Sequence, residues 1–156
     1  MEDLSLHILD VVENSITAGA REVEILIDEN NAENRLSLEI ADDGSGMDEE
    51  LRRKVLDPFF TTRTTRRVGL GLPLLAQAAS QSGGSLEVDS APGQGTRVRA
   101  CFQLSHTDLK PLGDVGSTLG AILAGRPELG LRFVYRRDGE IVASLDSTLP
   151  EANRSE

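Results

Sequence analysis

The chain has 156 residues, of which 38% are hydrophobic, and its formal net charge is −10. No apolar run is long enough to cross a bilayer, and the N-terminus MEDLSLHILD carries charges through its apolar stretch, unlike a secretory signal. The composition therefore predicts a globular protein of the cytoplasm. An acidic surface does not attract phosphate backbones or acidic lipids, so nucleic acid and membrane are disfavoured as partners.

The first elements along the chain are predicted to be a helix and a β-hairpin. Apolar residues recur at helical spacing over residues 3–18, and Gly19 follows as a stop signal. Period-two alternation predicts strands in REVEILID and RLSLEIAD, with the turn-prone ENNAEN between them.

The middle of the chain is predicted to return to helix and then to strand. MDEELRRKVL has the pattern of a short helix, and residues 58–71 follow neither period and are expected to be a loop. LPLLAQAASQSG predicts a longer helix with Pro73 in its first turn. SLEVDS and TRVRACFQL predict a second strand pair around the turn APGQG. These elements define a core domain over residues 1–105.

Residues 106–156 are predicted to add a helix and a second hairpin. After a linker, the helix places Val115, Leu119, Ile122 and Leu123 inward, and the hairpin turns at Asp138 and Gly139. A segment of this size is too small to be comfortably stable alone. It is therefore expected to extend or flank the main sheet.

The first helix carries a polar stripe at alternating spacings of four and three, formed by Asp3, His7, Asp10, Asn14 and Thr17. Asp10 and Asn14 place a carboxylate and an amide oxygen one turn apart, which suits a divalent cation and a water in its shell. A plain solvent face is the alternative. His7 is expected to be a surface or partly buried residue of this helix.

The stretch ADDGSGMDEE follows the second strand directly. An acidic turn would explain its composition, and an EF-hand is excluded because Gly44 and Gly46 fall where that loop needs ligands. Two glycines after a buried strand let the backbone approach a flat ligand closely. Asp42, at the strand end, has a carboxylate that can accept hydrogen bonds from an exocyclic amine. This chemistry fits an adenine ring.

The stretch RRVGLGLPLL places Gly69 and Gly71 ahead of the predicted long helix. Glycines there would present backbone N–H groups and the positive helix end to an anion. A phosphate is the obvious ligand. A dinucleotide fingerprint fails because Leu74 occupies the place of its third glycine, and no P-loop spacing is present.

Five stretches resemble, in this order, the motif boxes of the GHKL superfamily of histidine kinase-like ATPases: LDVVENSITAGA, DDGSGM, DPFFTTR, GLGLPLL and PGQGTRV. The superfamily comprises the ATP-binding domains of gyrase, Hsp90, histidine kinases and MutL. The resemblance spans residues 4–104. It implies an α+β fold, a two-layer Bergerat-type sandwich with helices on one face of a mixed sheet, to which the C-terminal helix and hairpin are appended.

The resemblance also implies a site for ATP and Mg²⁺. Asn14 would reach the Mg²⁺, Asp10 would be the catalytic base, and Asp42 would accept from the adenine amine. Residues 59–68 would form a lid over the nucleotide. The other implied nucleotide contacts are Gly44, Gly46, Met47 and Thr96 around the adenine, and Arg63, Gly69, Leu70 and Gly71 at the phosphates.

The chain departs from the family pattern at two motifs. Asp10 stands where the hydrolysing members have a glutamate, so its carboxylate is one methylene shorter. Arg67 and Val68 stand where the glycine box has a further glycine and a serine or threonine. The first motif also begins almost at residue 1, so no phosphoacceptor helix pair is expected before it and a complete sensor kinase is not expected.

Two functions remain open from the sequence. One is a protein kinase acting in trans on a partner's phosphoacceptor, as a histidine kinase catalytic module or an anti-sigma-factor-type Ser/Thr kinase does. The other is a non-catalytic, nucleotide-sensing subunit that binds a larger complex. A homodimer is also left open.

Overall fold

The computed structural model describes residues 4–54, 66–106 and 113–148, and for residues 66–71 it describes the backbone alone. In chain order the elements are α1 (Leu4–Thr17), β1 (Glu22–Asn30), β2 (Arg35–Asp42), α2 (Glu49–Lys54), α3 (Arg66–Gln81), β3 (Ser85–Ser90), β4 (Thr96–Gln103), α4 (Val115–Gly125), β5 (Gly130–Arg137) and β6 (Glu140–Asp146). No helix within these ranges is both long enough and apolar enough to cross a bilayer.

The six strands form one mixed sheet in the order β3-β4-β2-β1-β5-β6. Neighbouring strands are antiparallel except β1 and β5, which run parallel. The two predicted hairpins of the core domain are present, and the predicted α+β fold is confirmed.

One face of the sheet is apolar and lies under the helices. Alternate residues of each strand are buried, as in Val23, Ile25 and Ile27 of β1, and α1 packs against both α3 and α4 above them. The opposite face is charged: Arg97 pairs with Glu39 there, and Arg99 pairs with Asp89 at 2.8 Å. A solvated second face is usual for largely antiparallel sheets.

Helix α1 ends where the sequence predicts. The Gly19 N–H donates to the Ile16 carbonyl at 2.9 Å, and the Ala20 N–H donates to the Ser15 carbonyl at 3.0 Å. This pair of bonds is a Schellman termination, which satisfies two carbonyls that the last turn leaves unpaired. It directs the chain into β1, so that the end of α1 lies beside the end of β2.

The start of α3 differs from the prediction. The loop expected over residues 58–71 gives way to helix at Arg66, so Gly69 and Gly71 lie inside α3, and Pro73 is an interior residue. The prediction that both glycines precede the helix was wrong. Glycine costs a helix only about 1 kcal/mol relative to alanine, and the cost of an interior proline, about 3 kcal/mol, does not determine at which residue the helix begins. Neither residue is sufficient to fix the helix start.

The C-terminal extension belongs to the same sheet. Strand β5 lies parallel to β1, with Leu131 beside Val23 and Phe133 beside Ile25, and both β5 side chains are buried. The hairpin turns at Asp138 and Gly139, which both have positive φ, as expected for a two-residue hairpin turn. The expectation that the extension joins the main sheet is confirmed.

A polar cluster reinforces the β1–β5 pairing at the far end of these strands. The Tyr135 hydroxyl donates to Glu29 Oε1 at 2.6 Å, and the Arg137 guanidinium donates to the Tyr135 oxygen at 3.0 Å. Burial, followed by the neighbouring Glu29 carboxylate, raises the pKa of Tyr135. The phenol therefore stays a hydrogen-bond donor to Glu29 at neutral pH.

We predict that Leu131→Ala destabilises the whole protein, because this fully buried β5 side chain packs in the core shared with β1. The free energy of unfolding, measured by denaturant titration, should fall by about 2–5 kcal/mol. The unfolding transition should remain single. Val142→Ala in the edge strand β6 is the control, since Val142 is 47% exposed. A separate, early transition of the extension would contradict this prediction.

Candidate nucleotide-binding site

Asp42 lies half-buried at the end of β2, where two donors hold its carboxylate. The Ser15 hydroxyl of α1 donates to Oδ2 at 2.6 Å, and the Gly44 N–H donates to Oδ1 at 2.8 Å. Each carboxylate oxygen thus receives one hydrogen bond and keeps capacity to accept another. The carboxylate is fixed in orientation and remains an acceptor toward any ligand.

Thr96, at the start of β4, faces Asp42 directly across the β2–β4 ladder. Its hydroxyl lies 2.9 Å from Ser90 Oγ at the end of β3. Ser90 Oγ also accepts from the Met47 N–H at 2.8 Å and lies 3.0 Å from the Gly95 carbonyl. These bonds bring Asp42, Met47 and Thr96 together, as the sequence predicts. A depression of about 390 Å³ next to them is lined in part by Asp42, Ser90 and Thr96.

The loop after Asp42 requires glycine at Gly46. Its φ is +72°, and a Cβ there would lie 2.0 Å from the Ala91 carbonyl oxygen. Gly95, on the facing turn, is equally restricted, because a Cβ would lie 2.1 Å from the Asp42 carbonyl oxygen. The β2–α2 loop and the β3–β4 turn are therefore in close backbone contact beside Asp42, whose side chain is half-buried.

Asp43 anchors the same loop to the start of β1. Its Oδ1 accepts from the Arg21 N–H at 2.8 Å and from the Glu22 N–H at 3.0 Å. The Glu22 N–H, assisted by that of Arg21, holds the pKa of the Asp43 carboxyl below its ordinary value of 3.8. The Ser45 N–H also donates to the Ala18 carbonyl at 2.9 Å. The loop is therefore fastened to α1 and to β1.

Helix α1 presents Asp10 and Asn14 one turn apart, Asp10 exposed and Asn14 half-buried. Asn14 directly precedes Ser15, so the residue predicted to reach a metal lies beside the residue that holds Asp42. His7 is 3% exposed, and the expectation of a surface or partly buried histidine was wrong. The adjacent α3 and α4 helices bury that side of α1 more fully than the alternation of its polar residues suggests.

The predicted phosphate contacts are described only in part. Gly69, Leu70 and Gly71 lie within the first two turns of α3, and Arg63 lies outside the described residues. Within the described ranges, no three acidic, histidine or cysteine side chains gather closely enough to hold a metal ion.

Two residues of this region were not identified from the sequence. Ser15 lies among the buried leucine, isoleucine and valine residues of α1, where a serine is itself a signal of a buried hydrogen bond. Ser90 lies before the turn APGQG, and its role depends on partners from two other segments. No local pattern indicates such contacts.

The two-layer α+β fold is that of a known family of ATPase domains. The family model described as "Histidine kinase-, DNA gyrase B-, and HSP90-like ATPase" matches residues 2–106. The chain therefore belongs to this family, and the resemblance to the GHKL superfamily is confirmed.

Comparison with individual proteins gives bacterial relatives by sequence and an ATPase domain by fold. The chain is 31% identical over 88 residues to nitrogen regulation protein NtrY of Azorhizobium caulinodans, covering 56% of this chain and 11% of NtrY. It is 33% identical over 95 residues to the signal transduction histidine-protein kinase AtoS of Escherichia coli, covering 60% of this chain and 16% of AtoS. The chain thus spans less than a fifth of either relative's length.

A solved structure of the Aquifex aeolicus MutL ATPase domain complexed with ADP has a similar fold. The TM-score is 0.53 at 19% sequence identity, and the match covers 94% of this chain and 63% of the MutL chain. Because the match extends over 94% of this chain, the likeness of fold also takes in most of the C-terminal extension.

We predict that Gly46→Ala is much more destabilising than Gly93→Ala. Both glycines have positive φ, which costs alanine about 1–2 kcal/mol, but a Cβ at Gly93 meets no atom within 4 Å. At Gly46 the methyl group must displace a backbone carbonyl, which adds about 1–3 kcal/mol. Denaturant titration of the two variants measures the difference. Equal losses would show that the two loops are not in close backbone contact.

We also predict that Asp43 contributes to the acid sensitivity of the fold. Since its folded-state pKa is lowered, its contribution is present above about pH 4, the unfolded-state value, and is lost as the pH falls through the folded-state pKa. Between about pH 5 and about pH 3, the stability of Asp43→Asn should therefore fall less than that of the parent. Thermal melting across this range is the measurement, and Glu128→Gln in the exposed loop before β5 is the control. Parallel curves for parent and Asp43→Asn would contradict the assignment.

Proposed function

We propose that this chain binds ATP with Mg²⁺ and acts as the catalytic module of a protein kinase that phosphorylates a partner protein in trans. The observation that carries this proposal is the way in which the Asp42 carboxylate is held. This half-buried carboxylate is fixed by Ser15 and Gly44 and remains an acceptor, and Thr96 is the partner of Asp42 in the β2–β4 ladder.

This arrangement suits adenine better than a 6-oxopurine. The exocyclic amine of adenine donates to an acceptor such as Asp42. The carbonyl oxygen of a 6-oxopurine at the same position is itself an acceptor, so it cannot form a hydrogen bond with the carboxylate. Thr96 can serve as donor or acceptor because its hydroxyl rotates. Asp42 would thus select the base, and Thr96 would adapt to the neighbouring ring nitrogen. The loop of Gly44, Gly46 and Met47 would border the ring.

The residues of α1 fit a magnesium ion bound together with phosphates. Mg²⁺ prefers oxygen ligands and is usually held by one or two side chains plus substrate phosphate oxygens, without a cage made of protein alone. Asn14 offers an amide oxygen, and the described residues contain no larger cluster of acidic, histidine or cysteine side chains. When bound, the ion would neutralise charge on the phosphates.

Phosphoryl transfer depends mainly on positioning and charge neutralisation, so few protein groups need to react. In the proposed reaction a side chain of the partner attacks the γ-phosphorus, the bond from that phosphorus to the ADP oxygen breaks, and Asp10 accepts the proton of the attacking group. Asp10 is exposed and lies one turn before Asn14. An incoming side chain could therefore reach it. The sequence relationship to the histidine-protein kinase AtoS supports this class of reaction.

A non-catalytic sensor remains the second candidate because of Asp10 itself. Its carboxylate is one methylene shorter than the glutamate that the resemblance implies in hydrolysing members, so a bound water would sit less well for attack. In such a subunit, ATP would order the site without turnover. Because the extension and the core share one sheet, the ordering of the site would then be transmitted to a partner-binding surface on β5 and β6.

We predict that Asp42→Asn weakens ATP binding by about 10- to 100-fold, because one charge-assisted hydrogen bond to the base is lost. The melting temperature without nucleotide should change little. Calorimetric titration with Mg²⁺ and ATP gives the affinity, and Asp28→Asn is the matched control, since Asp28 is a half-buried aspartate toward the opposite end of β1. If both variants bind ATP as the parent does, the assignment of Asp42 is wrong.

Incubation with γ-labelled ATP and a cell lysate separates the two candidate functions. For a kinase, we expect a labelled partner protein whose label is lost in Asp10→Ala and Asn14→Ala. Tight ATP binding with neither labelled protein nor released phosphate would identify a sensor.

A further inference from the structure

The two edges of the sheet differ in how they are protected. At the β3 edge, α2 lies beside the strand, and the Arg52 guanidinium donates to the Val88 carbonyl at 3.4 Å. Strand β3 also carries Glu87 and Asp89, which both pair with Arg99. A covering helix and charged side chains are common means by which proteins prevent an edge strand from pairing with another chain. The β3 edge is therefore protected.

The β6 edge has a different character. Strand β6 is the last strand of the sheet, and its residues Ile141 and Val142 are 62% and 47% exposed. These are the two most exposed of the large apolar side chains in the part of the chain that the structure describes. An edge strand also presents a row of backbone N–H and C=O groups that can pair with an added strand. The β6 edge therefore offers both backbone groups and apolar side chains to another chain.

From these features we propose that β6 is the docking site for an extended segment of a partner protein, which joins the sheet as an additional strand. The segment has a short apolar run flanked by lysine or arginine. This proposal goes beyond the function proposed above, because it states how a partner is held and by what chemistry. It does not depend on nucleotide binding.

The hydrogen bonds between β5 and β6 determine which backbone groups of β6 face outward. The Ser147 N–H donates to the Leu131 carbonyl at 2.9 Å, so the backbone of Ser147 faces β5. In an antiparallel pair this direction alternates from one residue to the next. Leu145 therefore also faces β5, whereas the backbone groups of Ser144 and Asp146 point away from the sheet and are available to an added strand.

A β-bulge precedes this regular part of β6. The register shift between Tyr135 and Arg136 leaves Val142 as the additional residue of β6. A bulge bends its strand and disrupts the ladder locally. We therefore expect the added strand to pair with residues 143–146 and to contact Ile141 and Val142 through its side chains.

The charge of β6 favours a basic occupant. Its seven residues, EIVASLD, have Glu140 and Asp146 at the two ends and include no basic residue. The protein as a whole has a formal net charge of −10. Opposite charges on neighbouring strands stabilise their pairing and like charges destabilise it. Lysine or arginine on each side of the apolar run would therefore be attracted to the two ends of β6.

A second copy of this chain is a poorer occupant. If two β6 strands paired antiparallel about Ala143, Glu140 of each copy would lie opposite Asp146 of the other. Like charges directly opposite each other destabilise a strand pair, and both copies are acidic overall. Charge therefore disfavours association of two copies through β6 and favours a basic segment of another protein.

The probe for the test is selected from a phage-displayed library of random peptides of about 12 residues, with the full chain as bait. We expect the enriched sequences to hold a short apolar run flanked by lysine or arginine. A synthetic peptide of the most enriched sequence is then titrated against the parent and its variants, with fluorescence anisotropy as the readout.

Ser144→Pro is the first variant, because proline removes an outward N–H and leaves the neighbouring bonds to β5 in place. We expect it to weaken peptide binding by at least about 10-fold. Ser144→Ala keeps the N–H and is the matched control, which should bind the peptide as the parent does. Thermal melting checks that both variants fold. If Ser144→Pro does not fold, Ile141→Lys replaces it, since a lysine on the edge would repel a basic segment.

Glu140→Lys tests the role of charge, because Glu140 is exposed at the start of β6. It should weaken binding of the basic peptide by about 2- to 5-fold. A second peptide, in which glutamate replaces the flanking basic residues, should bind this variant more tightly than it binds the parent.

The proposal would be overturned by a library that yields no enriched sequence, by enrichment of acidic peptides, or by peptides that bind Ser144→Pro as tightly as the parent. Sedimentation of the parent as a dimer that Ser144→Pro converts to a monomer would also overturn it, since a second copy would then occupy the edge. None of these results bears on ATP binding, which is tested separately by the titration of Asp42→Asn.

Discussion

The hydrogen bonds that Ser15 and Gly44 donate to Asp42 are the contacts on which the rest of the site depends. They fix a half-buried carboxylate at the place where α1, the end of β2 and the start of β4 meet. A buried carboxylate without such donors would be costly, because its oxygens would lose water without replacement. With them, it is an oriented acceptor that keeps capacity for a further hydrogen bond. The fold supplies the donors, and in the proposed function Asp42 supplies the specificity for the base.

The positions of these donors follow from the sheet. Strand β2 lies at the centre, with β4 on one side and β1 on the other, so Asp42 has Thr96 and Val23 as its two ladder neighbours. The β1–β5 pairing then extends the sheet beyond β1 and brings α4 against α1. The C-terminal extension thus supports the helix that carries Asp10, Asn14 and Ser15. The extension thus contributes to the site indirectly, because α4 packs against α1.

Much of this architecture could be predicted from local patterns. Alternating apolar residues gave the strands, and the Asp138–Gly139 pair gave the last turn, because positive φ at both positions favours these residues. The clustering of Asp42, Met47 and Thr96 followed from ordered motifs and not from periodicity.

The features that were missed depend on tertiary contacts. The start of α3 at Arg66 could not be read from the sequence, since Gly69 and Pro73 weaken a helix without setting its first residue. The burial of His7 depends on which neighbours cover α1. Ser15 and Ser90 make their bonds to residues far along the chain, so neither had a local signal beyond its own polarity.

The central claim is that Asp42 reads the 6-amino group of a purine. The most direct measurement is calorimetric titration of the full chain, with Mg²⁺, by ATP and by inosine triphosphate, which differ at the base only in the 6-substituent and the ring proton that accompanies it. The account predicts that ATP binds at least about 10-fold more tightly, since the oxo group would face an acceptor that it cannot satisfy. Equal affinities for the two triphosphates, or no binding of either, would contradict it.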